Sequence, residues 1–187
     1  MSLLRKSIED APIVKKGDYE YIVHPITDGI PEIKPELLEE VVTEMEKHVA
    51  KMQPIDKIVT MEAMGIPLAA VLSVRMRIPF TIIRKREYGL PGEVSVQQVT
   101  GYSKSTLFIN GINKGDRIVI VDDVLSTGGT LKAVLRSLKE IGAVVKAVII
   151  AINKGDALEE IQKNFGISII SLANISINQG KVEIKTC

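Results

Sequence analysis

The chain has 187 residues, 45% of them hydrophobic, and a formal net charge of +1. That length predicts one domain with its own core, and the near-neutral balance gives no bulk electrostatic case for nucleic acid or a membrane surface. The only cysteine, Cys187, excludes an internal disulfide and predicts a reducing cytoplasm; no secretory leader opens the chain, and the longest uncharged apolar run, Ala147 to Ile152, is too short to cross a bilayer.

Residues 1–34 are mixed. Tyr19 to Val23 reads as a short strand, and His24-Pro25, Asp28-Gly29 and Pro31 then mark a loop. Of the two histidines, His24 reads as a structural turn residue and His48 as a solvated one. Pro35 opens a helix with Leu38, Val41, Val42, Met45 and Val49 on one face. Asp56 to Met61 reads as a buried strand. It runs into Glu62-Ala63-Met64-Gly65-Ile66-Pro67 and then an apolar helix from about Leu68 to Met76. Gly65 is either a close backbone approach to a ligand or an ordinary turn glycine.

Pro79 to Ile83 predicts another strand, ending in Arg84-Lys85-Arg86-Glu87. Residues 87–105 are polar and glycine-rich with no strong period. A loop that long inside a compact domain is usually functional or mobile; the bland alternative is a solvated surface hairpin. Arg84 and Lys85 at its base and Lys104 near its end are cations suited to phosphate oxygens.

The most informative stretch is Ile118 to Leu131, I-V-I-V-D-D-V-L-S-T-G-G-T-L. Four β-favouring apolar residues read as a strand buried on both faces, and Asp122 and Asp123 fall where it would end. Ser126-Thr127-Gly128-Gly129-Thr130 then enters a helix over Thr130 to Ile141, with Leu131, Val134, Leu135 and Leu138 inward and Gly142 closing it. A small-residue loop entering a helix presents backbone N–H groups and the positive end of the dipole, which suits a phosphate. Two carboxylates beside it would repel a phosphate unless they face hydroxyls or a cation. The expected ligand therefore carries a phosphate at one end and a sugar diol or a magnesium ion beside it. An acidic cluster, a nucleotide-site strand end or a plain turn explains the acids but not the loop that follows.

Val144 to Ile152 predicts a buried strand, residues 157–164 a helix, and Ile167 to Lys185 short strands covering the sheet or forming a small hood. Asn-Lys-Gly-Asp occurs at 113–116 and again at 153–156, a reused turn. Lys154 in the second copy stands at a strand's carboxyl end. It is either a solvated turn lysine, as Lys114 is, or a donor to an oxygen on a ligand.

The acid pair and its loop resemble the ribose-5-phosphate site of the type I phosphoribosyltransferases. With H-P-I-T-D-G-I-P at 24–31, E-A-M-G-I-P-L at 62–68, R-K-R-E-Y-G-L-P-G-E at 84–93 and T-G-Y-S-K at 100–104, the chain resembles the archaeal hypoxanthine/guanine phosphoribosyltransferases. That resemblance implies an α/β, type I phosphoribosyltransferase fold over residues 1–187: a mostly parallel central sheet flanked by helices, a small hood from about 1–34 and 153–187, and a flexible lid over about 85–105. It implies purine salvage by transfer of 5-phosphoribosyl from phosphoribosyl pyrophosphate to N9 of hypoxanthine or guanine, in a cytoplasmic homodimer using Mg2+.

By the same resemblance, Ser126, Thr127, Gly128, Gly129 and Thr130 would hold the 5-phosphate, and Asp122 and Asp123 the ribose hydroxyls. Glu62, Ala63, Met64 and Gly65 would form the pyrophosphate loop. Arg84, Lys85 and Lys104 would neutralise the leaving group, with Tyr102 in the lid. Ile30 and Pro31 would line the base pocket, and Lys154 would meet O6. No side chain is expected to bind the metal directly, Asp122 and Asp123 being the possible exceptions. The glutamate that adenine enzymes place before the lid tyrosine is Gly101 here, and the aspartate of the animal 6-oxopurine enzymes is Ser126, so Glu93 is the nearest replacement for a proton acceptor. The alternatives are an adenine phosphoribosyltransferase and a non-catalytic regulator that senses phosphoribosyl pyrophosphate.

Overall fold

The computed structural model describes residues 2–17, 19–100, 103–178 and 180–185. Helix α1 (Ser2–Glu9) leads into the hairpin β1 (Ile13–Lys16) and β2 (Tyr19–Ile22). The expected loop after it contains one helical turn, α2 (Pro25–Asp28). Pro25 supplies a preset φ at its start, the His24 ring nitrogen accepts the Ile26 N–H, and Gly29 ends the turn at φ 71. Helix α3 (Pro35–Ala50) buries Leu37 with Val41, Val42, Met45 and Val49; Leu38 packs only at the edge of that face.

Strand β3 (Lys57–Met61) is followed by α4 (Gly65–Met76). The helix starts three residues earlier than the sequence implied, because Pro67 sits in the first turn, where its missing N–H costs nothing. Strand β4 (Phe80–Ile83) leads to the expected long loop. Much of that loop is a hairpin, β5 (Val94–Thr100) against β6 (Ser103–Ile109). Val96, Leu107 and Ile109 bury one side of it, an alternation too short to stand out from the polar residues between.

Strand β7 (Arg117–Leu125) runs through both aspartates instead of stopping before them. Its partner β8 (Val144–Asn153) is one residue longer, and Asp122 and Val124 lie opposite Ile150 and Ile152. Helix α5 (Gly129–Ile141) joins the two. Helix α6 (Ala157–Phe165) leads to β9 (Ser168–Asn178) and β10 (Lys181–Lys185). These last strands were expected as cover or hood. They continue the central sheet, β9 parallel to β8 and β10 antiparallel to β9, because Ile169, Ala173 and Ile175 are buried along it. Two hairpins stand outside that sheet, β1–β2, which lies between α1 and α2 in the chain, and β5–β6.

The sheet order is β10-β9-β8-β7-β3-β4. Along β7, Val119 and Val121 enter a core with α3 and α4, while Ile118 and Ile120 enter another with α5, α6 and the β5–β6 hairpin. Each such side chain, removed from water, contributes about 1.5–3 kcal/mol, so β7 is fixed from both faces. The chain leaves β3 toward one sheet edge and β7 toward the other, which makes the gap between their carboxyl ends a topological switch point, where open α/β sheets bind ligands.

Candidate functional site

A cleft of about 340 Å³ opens at that switch point, lined by Thr27, residues 61–64, residues 122–131 and Ile150. Strand β3 pairs with β7 only as far as Ile120, so the last turn of β7 has no neighbour on that side and its acids face the cleft. Asp122 and Asp123 are both buried, at 8% and 7% exposure. Burial, and then the charge of Asp123, pushes the Asp122 carboxyl well above the usual carboxylate range. Burial raises Asp123 to about 6, with the Lys154 charge pulling the other way. Both carboxyls thus hold a proton more tightly than free ones, and they face the cleft side by side, an arrangement suited to two adjacent hydroxyls.

Beyond the acids, the chain turns through Ser126 and Thr127 to Gly128, whose φ of 73 precedes the first turn of α5. Gly128, with no side chain, gives that helix no side-chain cap, and a helix start of this kind suits an anion. Gly128 was expected to admit a ligand. The structure gives the missing Cβ a packing reason as well, since a side-chain carbon there would lie 2.6 Å from Ile161 Cδ1 of α6. Gly65 likewise packs inside the protein. A Cβ on it would lie 2.2 Å from Thr60 Oγ1 and 2.5 Å from Asp122 Oδ1, so this glycine lets α4 close onto the buried acid.

Glu62, Ala63 and Met64 line the cleft beside the acids and the 126–130 loop. Arg84 lies behind them, its Nε donating to Glu62 Oε2 at 2.8 Å, and Lys85 is exposed with its backbone N–H on the same carboxylate. Glu93 is turned to a structural task. It accepts the Tyr88 and Gly89 N–H groups and, at 2.7 Å, the Asn110 amide; that last bond leads the effects that hold its carboxyl below the usual range, the opposite of what a proton acceptor needs. Ile30 and Pro31 are exposed and outside the cleft lining. Tyr102 and the side chain of Lys104 lie outside the described residues.

Lys154 differs from its counterpart Lys114. Its backbone N–H donates to Leu125 O at 2.7 Å, and Gly155 is wedged against the Ser126 carbonyl, 2.5 Å from where its Cβ would be. The second Asn-Lys-Gly-Asp turn is thus docked on the phosphate-type loop. Burial lowers the Lys154 pKa, opposed by Asp28 and then Asp123. Three polar neighbours were missed as site residues: Thr27, which lines the cleft, and Asp28 and His24 beside it. Their signal was the polar H-P-I-T-D-G turn itself. His24 is fully buried; its Nδ1 accepts the Ile26 N–H, so Nε2 carries the proton and donates to Ser7 Oγ at 2.9 Å. Among the described residues no group of three or more His, Cys, Asp or Glu side chains is placed to hold a metal, and no helix is long and apolar enough to cross a membrane.

Comparison with known proteins agrees with this geometry. Residues 32–181 match the phosphoribosyl transferase domain. A hypoxanthine/guanine phosphoribosyltransferase of Methanocella paludicola is 51% identical over 184 residues, covering 98% of this chain and 95% of the relative. One from Methanothermus fervidus is 48% identical over 181 residues, covering 97% and 95%. Among solved structures, the adenine phosphoribosyltransferase of Thermoanaerobacter pseudethanolicus aligns with a TM-score of 0.73 at 24% identity, over 91% of this chain and 99% of that one. The Leishmania tarentolae enzyme of the same name aligns with a TM-score of 0.74 at 22% identity, over 93% and 88%. At such identities these structures speak for the fold alone. With a family match across most of its length and relatives half identical along nearly all of it, the chain belongs to the phosphoribosyl transferase domain family and has its type I fold.

Proposed function

We propose that this protein is a purine-salvage enzyme that transfers 5-phosphoribosyl from phosphoribosyl pyrophosphate to N9 of hypoxanthine or guanine, releasing pyrophosphate. The observation that carries the reading is the cleft that joins the Asp122–Asp123 pair to the uncapped start of α5. Near-full-length relatives of about half identity bearing that name support the choice of a 6-oxopurine.

In this reading the 126–130 loop and the first turn of α5 hold the 5-phosphate, and Asp122 and Asp123 take the two ribose hydroxyls. As the bond from C1 to the pyrophosphate oxygen breaks, its electron pair leaves with pyrophosphate and positive charge gathers on the ribose. The Asp123 carboxylate stabilises that charge from a fixed position in a site shielded from water. The purine nitrogen then forms the new bond to C1, and the ring N–H proton is released.

Glu62 to Met64, with Arg84 and Lys85, border the pyrophosphate end. The 85–105 segment, with Tyr102 and Lys104, serves as a lid that limits hydrolysis of the sugar cation. Two carboxylates without a third protein ligand fit magnesium carried chiefly on the donor's own oxygens; when bound, it supplies charge neutralisation of the leaving group. The resemblance also carries a homodimer and a cytoplasmic location into this reading.

The test is nucleotide formation from the magnesium-bound donor with hypoxanthine, guanine, adenine and xanthine in parallel. Turnover of hypoxanthine or guanine supports the reading. Turnover of adenine alone selects an adenine transferase, and tight donor binding with no turnover of any base selects a sensor.

A further inference from the structure

Thr60 is the only hydroxyl residue of β3. It is fully buried, and its Oγ1 has no hydrogen-bond partner among the described residues. Buried hydroxyls are nearly always paired, because an unpaired one gives up its bonds to water with nothing in return. Thr60 stands where the sheet opens. It registers with Ile82 of β4, but on the other side β3 pairs with β7 only as far as Val59. Thr60 is thus the first residue beyond the parting of the two strands, and the next, Met61, lines the cleft.

Gly65 fixes what the hydroxyl faces. A Cβ on that glycine would lie 2.2 Å from Thr60 Oγ1, 2.5 Å from Asp122 Oδ1 and 3.2 Å from Val121 O. The three oxygens therefore border one small space that the glycine leaves clear. The hydroxyl is no farther from Oδ1 than the first two distances together. The Val121 carbonyl can only accept, whereas a hydroxyl both donates and accepts. Thr60 can thus pair with the Asp122 carboxyl whether or not that carboxyl holds a proton. Resting on the assignment of Asp122 to the ribose hydroxyls above, we infer that Thr60 is a positioning residue of the donor site. Its hydroxyl bonds Asp122 Oδ1 across the space beside Gly65 as the other carboxyl oxygen takes up the ribose.

A carboxyl anchored at its inward oxygen presents the outward one at a set position, so less ordering is left to the substrate. Thr60 reaches no substrate atom itself and acts through Asp122, which lines the cleft. A change in it should be felt at the donor and not at the base. The competing role is structural: the hydroxyl would donate to the Val121 carbonyl and stitch β3 to β7 where their ladder ends.

The experiment titrates the magnesium-bound phosphoribosyl donor calorimetrically into the full-length wild type, Thr60→Val and Thr60→Ser. Tm and the KM for the base are measured alongside. Valine keeps the branched shape and loses the hydroxyl; serine keeps the hydroxyl and loses the methyl. Donor affinity should fall about 10-fold in Thr60→Val, the span of one good hydrogen bond, and Thr60→Ser should recover most of that loss. The base KM should stay put, and the Tm of Thr60→Val should not drop, since the bond forms with the donor in place. In an Asp122→Ala background, Thr60→Val should cost nothing further. Wild-type affinity in Thr60→Val, or losses that add in the double variant, overturn the role of Thr60 and leave the donor reading standing. A lower Tm in Thr60→Val with donor and base affected alike also overturns it, in favour of the Val121 tie. A wild type that does not bind the donor overturns the underlying reading and this role with it. A wild type that binds the donor but turns over adenine alone changes the base and leaves the titration to decide Thr60.

Discussion

Arg84 and Glu62 meet across two loops, with Nε 2.8 Å from Oε2, so the arginine at the base of the proposed lid is paired before any anion arrives. Both side chains are partly exposed, at 40% and 27%, and such a pair contributes about 1 kcal/mol or less to stability. Removing either partner should therefore move Tm little. The donor KM should separate them: Arg84→Ala raises it by about 10-fold, as expected for a charge-assisted contact, whereas Glu62→Gln releases the arginine and lowers it. Equal losses of Tm in the two variants with no change in KM would mean that the pair only braces the loops.

Gly65 supports a second prediction. An alanine Cβ would collide with Thr60 Oγ1 and Asp122 Oδ1. Thr60 is fully buried and backed by α4, so neither oxygen has room to retreat. Gly65→Ala should cost about 1–3 kcal/mol in denaturant unfolding, the range of an overpacked core. It should also weaken donor binding by displacing Asp122. Wild-type affinity in a destabilised variant would separate Asp122 from the donor site.

Opposing pH slopes follow from His24 and Asp123. Burial, with the Lys154 charge second, lowers His24 from 6.5 to about 4. The folded protein then binds fewer protons than the unfolded chain in that window, so this contribution is complete above pH 6.5 and is lost as pH falls toward 4. Asp123 is raised from 3.8 to about 6 by burial. Here the folded protein binds more protons, and stability declines as pH rises through that interval. At 1.36 kcal/mol per unit, each slope is worth up to about 3 kcal/mol. Between pH 4 and 6, His24→Gln should make Tm fall more steeply with rising pH than in the wild type. Asp123→Asn should make it fall less steeply. Melting curves that stay parallel in all three proteins would refute both shifts.

Lys154 gives a fourth test. Lys154→Ala should raise the KM for hypoxanthine by about 10-fold or more, from loss of a charged donor, with the donor KM less affected. An unchanged hypoxanthine KM would return Lys154 to the role of a turn residue.

Much of this architecture was legible because periodicity and turn chemistry agreed along the chain. The buried runs of β7 and β8, the inward face of α5 and the small-residue loop at 126–130 all fell where the pattern put them. Three features were hidden for identifiable reasons. The 94–109 hairpin alternates on one side only, under many polar residues. Strands β9 and β10 look like surface strands because β10 is the sheet edge and both leave many side chains only partly covered. Glu93 and Arg84 read as free charges, since their partners Asn110 and Glu62 lie 17 and 22 residues away in sequence.

The central claim is that the acid pair and the start of α5 share one sugar-phosphate. Calorimetric titration of the magnesium-bound phosphoribosyl donor into wild type and into Asp123→Asn combined with Gly128→Val tests it most directly, with circular dichroism to confirm that the variant is folded. The account predicts a loss of affinity of at least about 100-fold, the sum of one charge-assisted contact and a blocked anion site. A folded double variant that binds the donor as tightly as the wild type would contradict it.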